Sequence, residues 1–391
     1  MNPTLSAQKK TAETPAGPGD LLPGELPPGE LLPDAEARLR ELARSLSLEQ
    51  QIKLLTGADV WSTHALPEIG LKRIVLSDGP AGVRGEDFDE RHDSVSLPSS
   101  SALSATWSVG VARRYGQVLG QEARRKGVHA VLGPTINLHR SPLGGRHFEC
   151  MSEDPRLTAT IAAGYVSGVQ SMGVGATPKH YLANEAETER FTSDSVVDER
   201  PLRELYLAAF EDAITEARAW LVMSSYNSIN GTTASENTLL ETPLSNEWGF
   251  DGVVVSDWTG VRSVEAANAH QDLEMPGPVG HWGAKLLAAV EDGRVSREAI
   301  LEKVTRILRL AARVGSLEGL EPAVTEFPGM LDGAQVAREV AVRGAVLVRN
   351  EGGLLPLDAA ALGSVAVIGH NAEEARTQGG GSATVMSLIH I

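Results

Sequence analysis

The sequence predicts an α/β protein: a (β/α)8, TIM-like barrel followed by an incomplete α/β sandwich domain. Three observations predict it. Short apolar runs alternate with amphipathic helical stretches. The runs are apolar throughout, as in parallel strands covered on both faces. Each run also ends in polar or charged residues, which is where a barrel of this class builds its site. A doubly wound sheet also binds at strand ends, but no Gly-rich phosphate fingerprint follows the first strand.

The elements follow in order. Residues 1–33 are rich in Pro, Gly, Glu and Leu. The prolines forbid a continuous helix, so a flexible or loosely docked arm is expected there. The first ordered element begins near Asp34, with Leu39, Leu42, Leu46 and Ile52 at near-helical spacing. Ser47, followed by Glu49 and Gln50, reads as the start of a second helix. Strands are predicted at 73–78 (RIVLSD), 129–134 (HAVLGP), 176–181 (ATPKHY), 220–226 (WLVMSSY) and 252–258 (GVVVSDW). Helices are predicted over 108–126, 156–172, 199–217 and 235–248, and a helix over 297–313 closes a first domain spanning 34–314. Residues 315–333, with scattered Gly, Pro and Glu, read as a linker. A second unit spans 334–391. It holds a helix (334–343), a strand AVLVRN (345–350), a turn EGGLLPL, a strand VAVIGH (365–370) and a Gly-rich loop TQGGGSATV (377–385). That is about half of a small sandwich, short of the ~100–150 residues of a typical domain, so a truncated second domain is expected.

Composition narrows the function classes. The chain has 391 residues, 42% of them hydrophobic, which suffices for one barrel-sized core and part of a second. A net charge of −16 argues against a nucleic-acid partner, which needs a basic stripe. The lone cysteine, Cys150, forms no intrachain disulfide and is compatible with a reducing compartment. The N-terminus has two lysines but no apolar stretch after them, so a signal peptide is not expected. No run approaches the ~18 apolar residues of a membrane span. A soluble cytoplasmic protein is the default expectation, with oligomeric state left open.

The polar residues at the strand ends have the types that glycoside hydrolysis with retention needs. That chemistry requires an attacking carboxylate, a second carboxyl about 5–5.5 Å away, positive neighbours that depress the pKa of the nucleophile, and donors and an aromatic face for the sugar. Asp257 follows the run VVVS and precedes Trp258. Lys179 and His180 follow another apolar run, and Arg84, Arg140, Arg146 and Arg190 lie in polar, Gly-containing stretches. A strand-end aspartate is more often a helix cap or an ion-pair partner, so position alone leaves both readings standing. Likewise Lys179-His180 would most often be a solvated pair, and arginines in loops are usually surface charge.

Five stretches look like glycoside hydrolase family 3 and occur in that family's order. They are LSDGPAGVRG (76–85), LGPTINLHRSPLGGRHFECMSEDP (132–155), PKHYLANEAETER (178–190), VMSSYNSINGTTASENTLL (222–240) and EWGFDGVVVSDW (247–258). VLVRNEGGLLPL, VAVIGH and the Gly-rich loop are similar to the start of that family's sandwich domain. The β-glucosidase branch is the nearest in pattern. The resemblance implies that Asp257 is the nucleophile forming a glycosyl-enzyme intermediate on β-glucoside or oligosaccharide substrates. It implies that Asp78, with Arg84 close by, binds hydroxyls at the far end of the sugar. Arg146, Lys179, His180 and Arg190 would bind the remaining hydroxyls and keep the carboxylates ionised. Tyr226 would steady the nucleophile, while Met223 and Trp258 would form apolar walls. Trp61 and Trp107 are expected to be ordinary core or surface tryptophans. Glu149, Glu153 and Asp154 are assigned to salt bridges and helix capping. His139, His147 and Cys150 match no zinc spacing, so no metal and no cofactor are expected. The family's β-glucosidases take their acid/base glutamate from beyond the Gly-rich loop, so that residue is expected to be missing here and activity reduced or lost.

Other readings stand beside this one. The N-acetylglucosaminidase branch carries a KHFPGHG-type segment where this chain has KHYLANEAETER, and so lacks its motif. A β-xylosidase or arabinosidase of the same family, or a non-catalytic sugar-binding remnant, remains open. A Schiff-base aldolase using Lys179 lacks a visible apolar pocket to lower the lysine's pKa.

Overall fold

A computed structural model describes residues 29–385 apart from 32, 88, 90, 375 and 376. Most of the expected N-terminal arm lies outside these residues. Its described end is docked: Arg313 donates to the Gly29 carbonyl at 2.7 Å, and Arg218 pairs with Glu30 at 3.2 Å. The helix Pro33–Ser45 follows, and Ser47 then caps the helix Leu48–Leu54 through a reciprocal pair of bonds with Gln50.

A parallel ladder runs in chain order. The strand Leu76–Asp78 pairs with Ala130–Leu132, which pairs with Gly175–Ala176. Parallel bridges at Thr135–Lys179 and Tyr181–Ser224 carry the ladder to Leu221–Ser224, which pairs with Val253–Ser256. Further parallel bridges join Val255 to Leu273 and Glu274 to Thr56. Helices Val109–Arg125, Pro155–Gln170 and the run 199–215 connect successive strands, as a parallel sheet requires. The five strands predicted between 73 and 258 are therefore in the right places but too long. ATPKHY forms regular pairing only at Gly175–Ala176, with single bridges beyond.

Side-chain alternation along the strands builds two cores. Val75, Val131, Val222 and Val254 join the cluster under the Val109–Arg125 and Pro155–Gln170 helices. Their neighbours Leu76, Ala130, Leu132, Leu221, Met223, Val253 and Val255 join a second cluster with the helices Pro33–Ser45 and Arg297–Arg313. Burial on both faces is why these runs are apolar at every position. The helices Val109–Arg125 and Pro155–Gln170 cross tightly because Gly116 faces the Tyr165 carbonyl and Gly168 faces that of Arg113. A side chain at either position has no room.

The structure departs from expectation at three places. Residues 235–248 do not form one helix but short turns, Ala234–Glu236, Thr238–Leu240 and Thr242–Glu247. Asn237 breaks the run: its Oδ1 accepts the Leu239 N–H, while its Nδ2 donates to Ile229 and Thr232 carbonyls. Pro243 then interrupts the backbone bonding a second time. A helix not anticipated, Ala284–Glu291, packs before Arg297–Arg313. The runs 345–350 and 365–370 are coil rather than strands. Their side chains are exposed, Val348 at 89% and Ile368 at 91%, and no neighbouring strand pairs with them among the described residues. Strand propensity without a partner does not make a strand. The preceding helix, Gly333–Gly344, packs against the first core through Val336 and Val340. Residues 315–333 contact earlier elements: the Glu318 N–H donates to the Gly70 carbonyl, and Leu331 exchanges bonds with Gln121.

Candidate active site

The C-terminal ends of the parallel strands open on one pocket of about 470 Å³, within the size range of small-molecule sites. Each strand delivers its polar residue there for the same reason. The strands run parallel, so their C-terminal ends meet on one face, and the side chains at or just past those ends reach the pocket. Asp78 ends the first strand, Lys179 and His180 follow the third, Tyr226 follows Leu221–Ser224, and Asp257 follows Val253–Ser256. All five line the pocket, together with Arg146, Arg190 and Trp258.

Asp257 sits at the centre. Its side chain is 12% exposed and opens into the pocket. Oδ1 accepts the Trp258 backbone N–H at 2.8 Å, and Oδ2 lies 3.6 Å from His180 Nε2. The Tyr226 hydroxyl donates to the Trp258 carbonyl at 2.9 Å and lies within hydrogen-bond reach of the carboxylate. The expectation that its neighbours hold Asp257 below the ordinary carboxylate range is not met. Burial pushes its pKa up. Lys179, the Tyr226 hydroxyl, the Trp258 N–H and Arg146 pull it back without cancelling that push.

Around Asp257 the charges are paired. Asp78 accepts from Arg84 Nη1 at 3.2 Å and from Lys179 Nζ at 3.4 Å. Arg146 donates to Glu149 at 2.8 Å, to His180 Nε2 at 3.2 Å and to Glu187 at 3.4 Å. Arg190 pairs with Glu187 at 3.1 Å and lies over the Tyr226 ring, 4.8 Å from its centroid. Burial pushes the His180 pKa well below its ordinary value, and Arg146, Lys179 and Arg190 push it the same way, so the ring is neutral.

One expected wall lies elsewhere, and a residue not expected in the site lines it. Met223 does not line the pocket; it is buried in the second core beside Leu221 and Val255. It lies in mid-strand on the core-facing side, whereas the pocket begins beyond the strand's end. Trp61, expected in core or surface, instead lines the pocket, its ring 5.2 Å from that of Trp258. Trp258 Nε1 donates to the Val60 carbonyl at 2.8 Å, which fixes the pair. Trp107 is 75% exposed and remote from the pocket.

The Gly-rich loop supplies residues that had no assigned role. Gly379 to Ser382 form part of the pocket wall. Arg84 donates to the Gly381 carbonyl at 2.9 Å and to that of Thr384 at 3.1 Å. Ser382 Oγ accepts from Arg146 at 2.8 Å and donates to Glu149 at 2.9 Å. Glu149 thus anchors both Arg146 and the loop, and these partners keep its pKa below the ordinary value against the upward push of burial. Asp154 caps the helix Pro155–Gln170 by accepting the Arg156 and Leu157 N–H groups. His139 and His147 stack with ring centroids 4.7 Å apart, and Cys150 is buried.

The chain is similar to known proteins. Residues 82–310 match the glycosyl hydrolase family 3 N terminal domain. A β-glucosidase of Rhizobium radiobacter is 47% identical over 348 residues, covering 88% of this chain and 42% of that protein. Beta-glucosidase B of Emericella nidulans is 44% identical, covering 89% and 42%. The chain thus spans less than half the length of these curated relatives. Among solved structures, β-glucosidase 3B of Thermotoga neapolitana in complex with α-D-glucose aligns with a TM-score of 0.82 at 35% identity, over 90% of this chain and 52% of that one. The β-glucosidase of Kluyveromyces marxianus in complex with glucose aligns at 0.80 and 30% identity, over 90% and 43%. These neighbours imply a TIM-like barrel for the parallel ladder described above. The chain belongs to glycosyl hydrolase family 3.

Proposed function

We propose that this chain carries the sugar-binding and nucleophilic half of a retaining β-glucosidase, acting on the non-reducing terminal glucose of β-glucosides or oligosaccharides. The observation that carries the reading is Asp257. It is a carboxylate at the end of a parallel strand, open to a pocket lined by Lys179, His180 and Arg146, with one oxygen held by the Trp258 N–H.

In this reading an Asp257 oxygen forms a bond to the anomeric carbon as the bond to the leaving oxygen breaks; the leaving oxygen takes the electron pair and, in this chain alone, a proton from water. Water then attacks the same carbon, displacing Asp257 and restoring the configuration. Asp78 and Lys179 bind hydroxyls, Arg146 and Arg190 bind others, and the Trp61–Trp258 pair offers an apolar face to the ring or to the leaving group. Among the described residues, the other carboxylates of the pocket are Asp78 and Glu149. Both are ion-paired, so neither is set up to donate a proton. We therefore propose that the 391-residue chain alone is slow on glycosides with poor leaving groups, where acid help is worth roughly 10²–10⁴-fold.

We also propose a (β/α)8-type barrel over 34–314, a connecting stretch over 315–333, and the start of an α/β sandwich over 334–391. The match to the family's N-terminal domain over 82–310 lies within the first of these.

The test uses a 2-deoxy-2-fluoro-β-glucoside with a dinitrophenyl leaving group, which needs no acid. Mass spectrometry is expected to find one fluoroglucosyl group on the peptide containing Asp257, and none in Asp257→Asn. An adduct elsewhere, or none on the parent chain, would overturn the assignment. The same assay with the fluoroxyloside separates glucosidase from xylosidase.

A further inference from the structure

Asn137 lies just beyond the Ala130–Leu132 strand, buried, and none of the roles above uses it. Its amide makes three contacts with a single residue. Oδ1 accepts the His180 backbone N–H at 2.9 Å, and Nδ2 donates to the His180 carbonyl at 3.0 Å. Oδ1 also faces His180 Nδ1 at 3.1 Å. The two backbone bonds fix which way the amide points, because an N–H only donates and a carbonyl only accepts. The atom facing Nδ1 is therefore an oxygen with no proton to give, and Nδ1 must carry the hydrogen. On the far side of the ring, Arg146 Nη1 lies 3.2 Å from Nε2. A guanidinium has no acceptor, so Nε2 must present its lone pair. Both sides of the imidazole demand the same tautomer.

We propose that Asn137 is a positioning residue: it locks His180 in the Nδ1–H tautomer and so keeps Nε2 an acceptor beside Asp257. The consequence for reaction rests on Asp257 being the nucleophile. Nε2 stands 3.6 Å from Asp257 Oδ2. A hydrogen on Nε2 would be donated to that oxygen, drawing charge from the electron pair that must attack carbon. With the lone pair there instead, Nε2 is satisfied by Arg146 and takes no hydrogen bond from its side to Oδ2. Among the described residues, the ring lies among the cations Arg146, Lys179 and Arg190 and the carboxylates Asp257, Glu185 and Glu187, and burial adds to the effect of the three cations. Protonation therefore does not put the hydrogen back on Nε2 near neutral pH.

The test reads the tautomer directly, by long-range proton–nitrogen NMR of the full chain labelled with ¹⁵N-histidine, with His180→Gln assigning the signals. The parent is expected to show a protonated-type shift at Nδ1 and a lone-pair shift at Nε2 from pH 6 to 8. Asn137→Ala is expected to lose that pattern for the Nε2–H form or a mixture. Its trapping rate with the dinitrophenyl fluoroglucoside should fall about tenfold, as one competing hydrogen bond to a charged oxygen would cause. Asn137→Asp offers only acceptors. It should keep the Nδ1–H pattern, raise the pH at which His180 protonates, and recover most of the trapping rate at pH 8. An Nε2–H pattern in the parent overturns the proposal, as does an unchanged pattern in Asn137→Ala. Should Asn137→Ala fail to fold, Asn137→Asp decides: an unmoved His180 titration means residue 137 does not face Nδ1. Absent trapping on a parent with the expected tautomer removes the nucleophile assignment and leaves the lock standing, so the two failures are distinguishable.

Discussion

Asp257 combines a requirement for charge with a place that disfavours it. Burial raises its pKa from the ordinary aspartate value, although Lys179, Tyr226 and Arg146 oppose the rise. A group whose folded-state pKa is raised contributes stability below its unfolded pKa. That contribution is lost as pH rises through the folded value. At neutral pH the ionised Asp257 is therefore a net cost to the fold. Asp257→Asn, nearly isosteric and uncharged, is expected to melt at a higher temperature than the parent at pH 7.5. The gap should close as the pH is lowered past the raised pKa, where the parent takes up its own proton. Differential scanning calorimetry across pH 4 to 8 checks this, and a parent as stable as Asp257→Asn at every pH would refute it. The trapping rate of the parent should fall over the same acidic window. Asp257 was legible in the sequence because a strand-end position and a flanking motif coincide. Trp61 was not, because GADVWSTHA has no period. The bridge from Ser62 to Val75 and the bond from Trp258 to Val60 bring it to the pocket only in three dimensions. Met223 was misplaced because the motif around it is a site motif, while its position in mid-strand makes it core.

At the scale of elements, what the sequence made readable were the strands covered on both faces and the long helices with a single buried stripe. Segment 235–248 was misread because Asn237 and Pro243 act through backbone bonds that periodicity does not register. The acidic stretch at 149–154 shows the opposite case, where carboxylates of the right type for catalysis do structural jobs. Asp154 accepts two N–H groups at the start of Pro155–Gln170, a helix whose inner face packs on Val109–Arg125. Asp154→Ala is expected to cost ~1 kcal/mol, a fall of about 2–4 °C in melting temperature for a domain of this size. It should leave glucose affinity, measured by calorimetry, unchanged. Glu149 differs because it is buried and holds both Arg146 and Ser382. Glu149→Gln leaves Arg146 with the longer ion pair to Glu187, at 3.4 Å, in place of the shorter one. It is expected to weaken glucose binding as well as lower stability by roughly 3 kcal/mol, since breaking a buried pair strands its partner. A Glu149→Gln chain with unchanged glucose affinity would mean that Arg146 does not need its anchor to meet the sugar.

Across the whole molecule, the site is assembled from distant parts of the chain, and their attachments differ in strength. Strands and helices through Arg313 share two continuous cores, and the Gly333–Gly344 helix joins one of them. Beyond it, residues 345–374 run exposed, with Val346, Val348, Val367 and Ile368 all turned to solvent. The Gly-rich loop then returns to the pocket. It is fixed by the carbonyl bonds from Arg84, the Ser382 bonds to Arg146 and Glu149, and contact of Gly379 with Phe148. An exposed connection of this length is the preferred place for a protease to cut. Brief trypsin treatment is expected to cleave after Arg349 while the barrel stays whole, because Arg349 is exposed and pairs, among the described residues, with Glu351, itself exposed. Cleavage leaves the loop tethered by its own bonds alone, so the entropy of holding it in place is no longer shared with the chain. Glucose affinity should then fall, whereas the melting temperature of the barrel should move little. The sign separates two views of the pocket. A fall in affinity means that Gly379 to Ser382 form part of the wall that meets the sugar, and an unchanged affinity means that strand ends alone bind it.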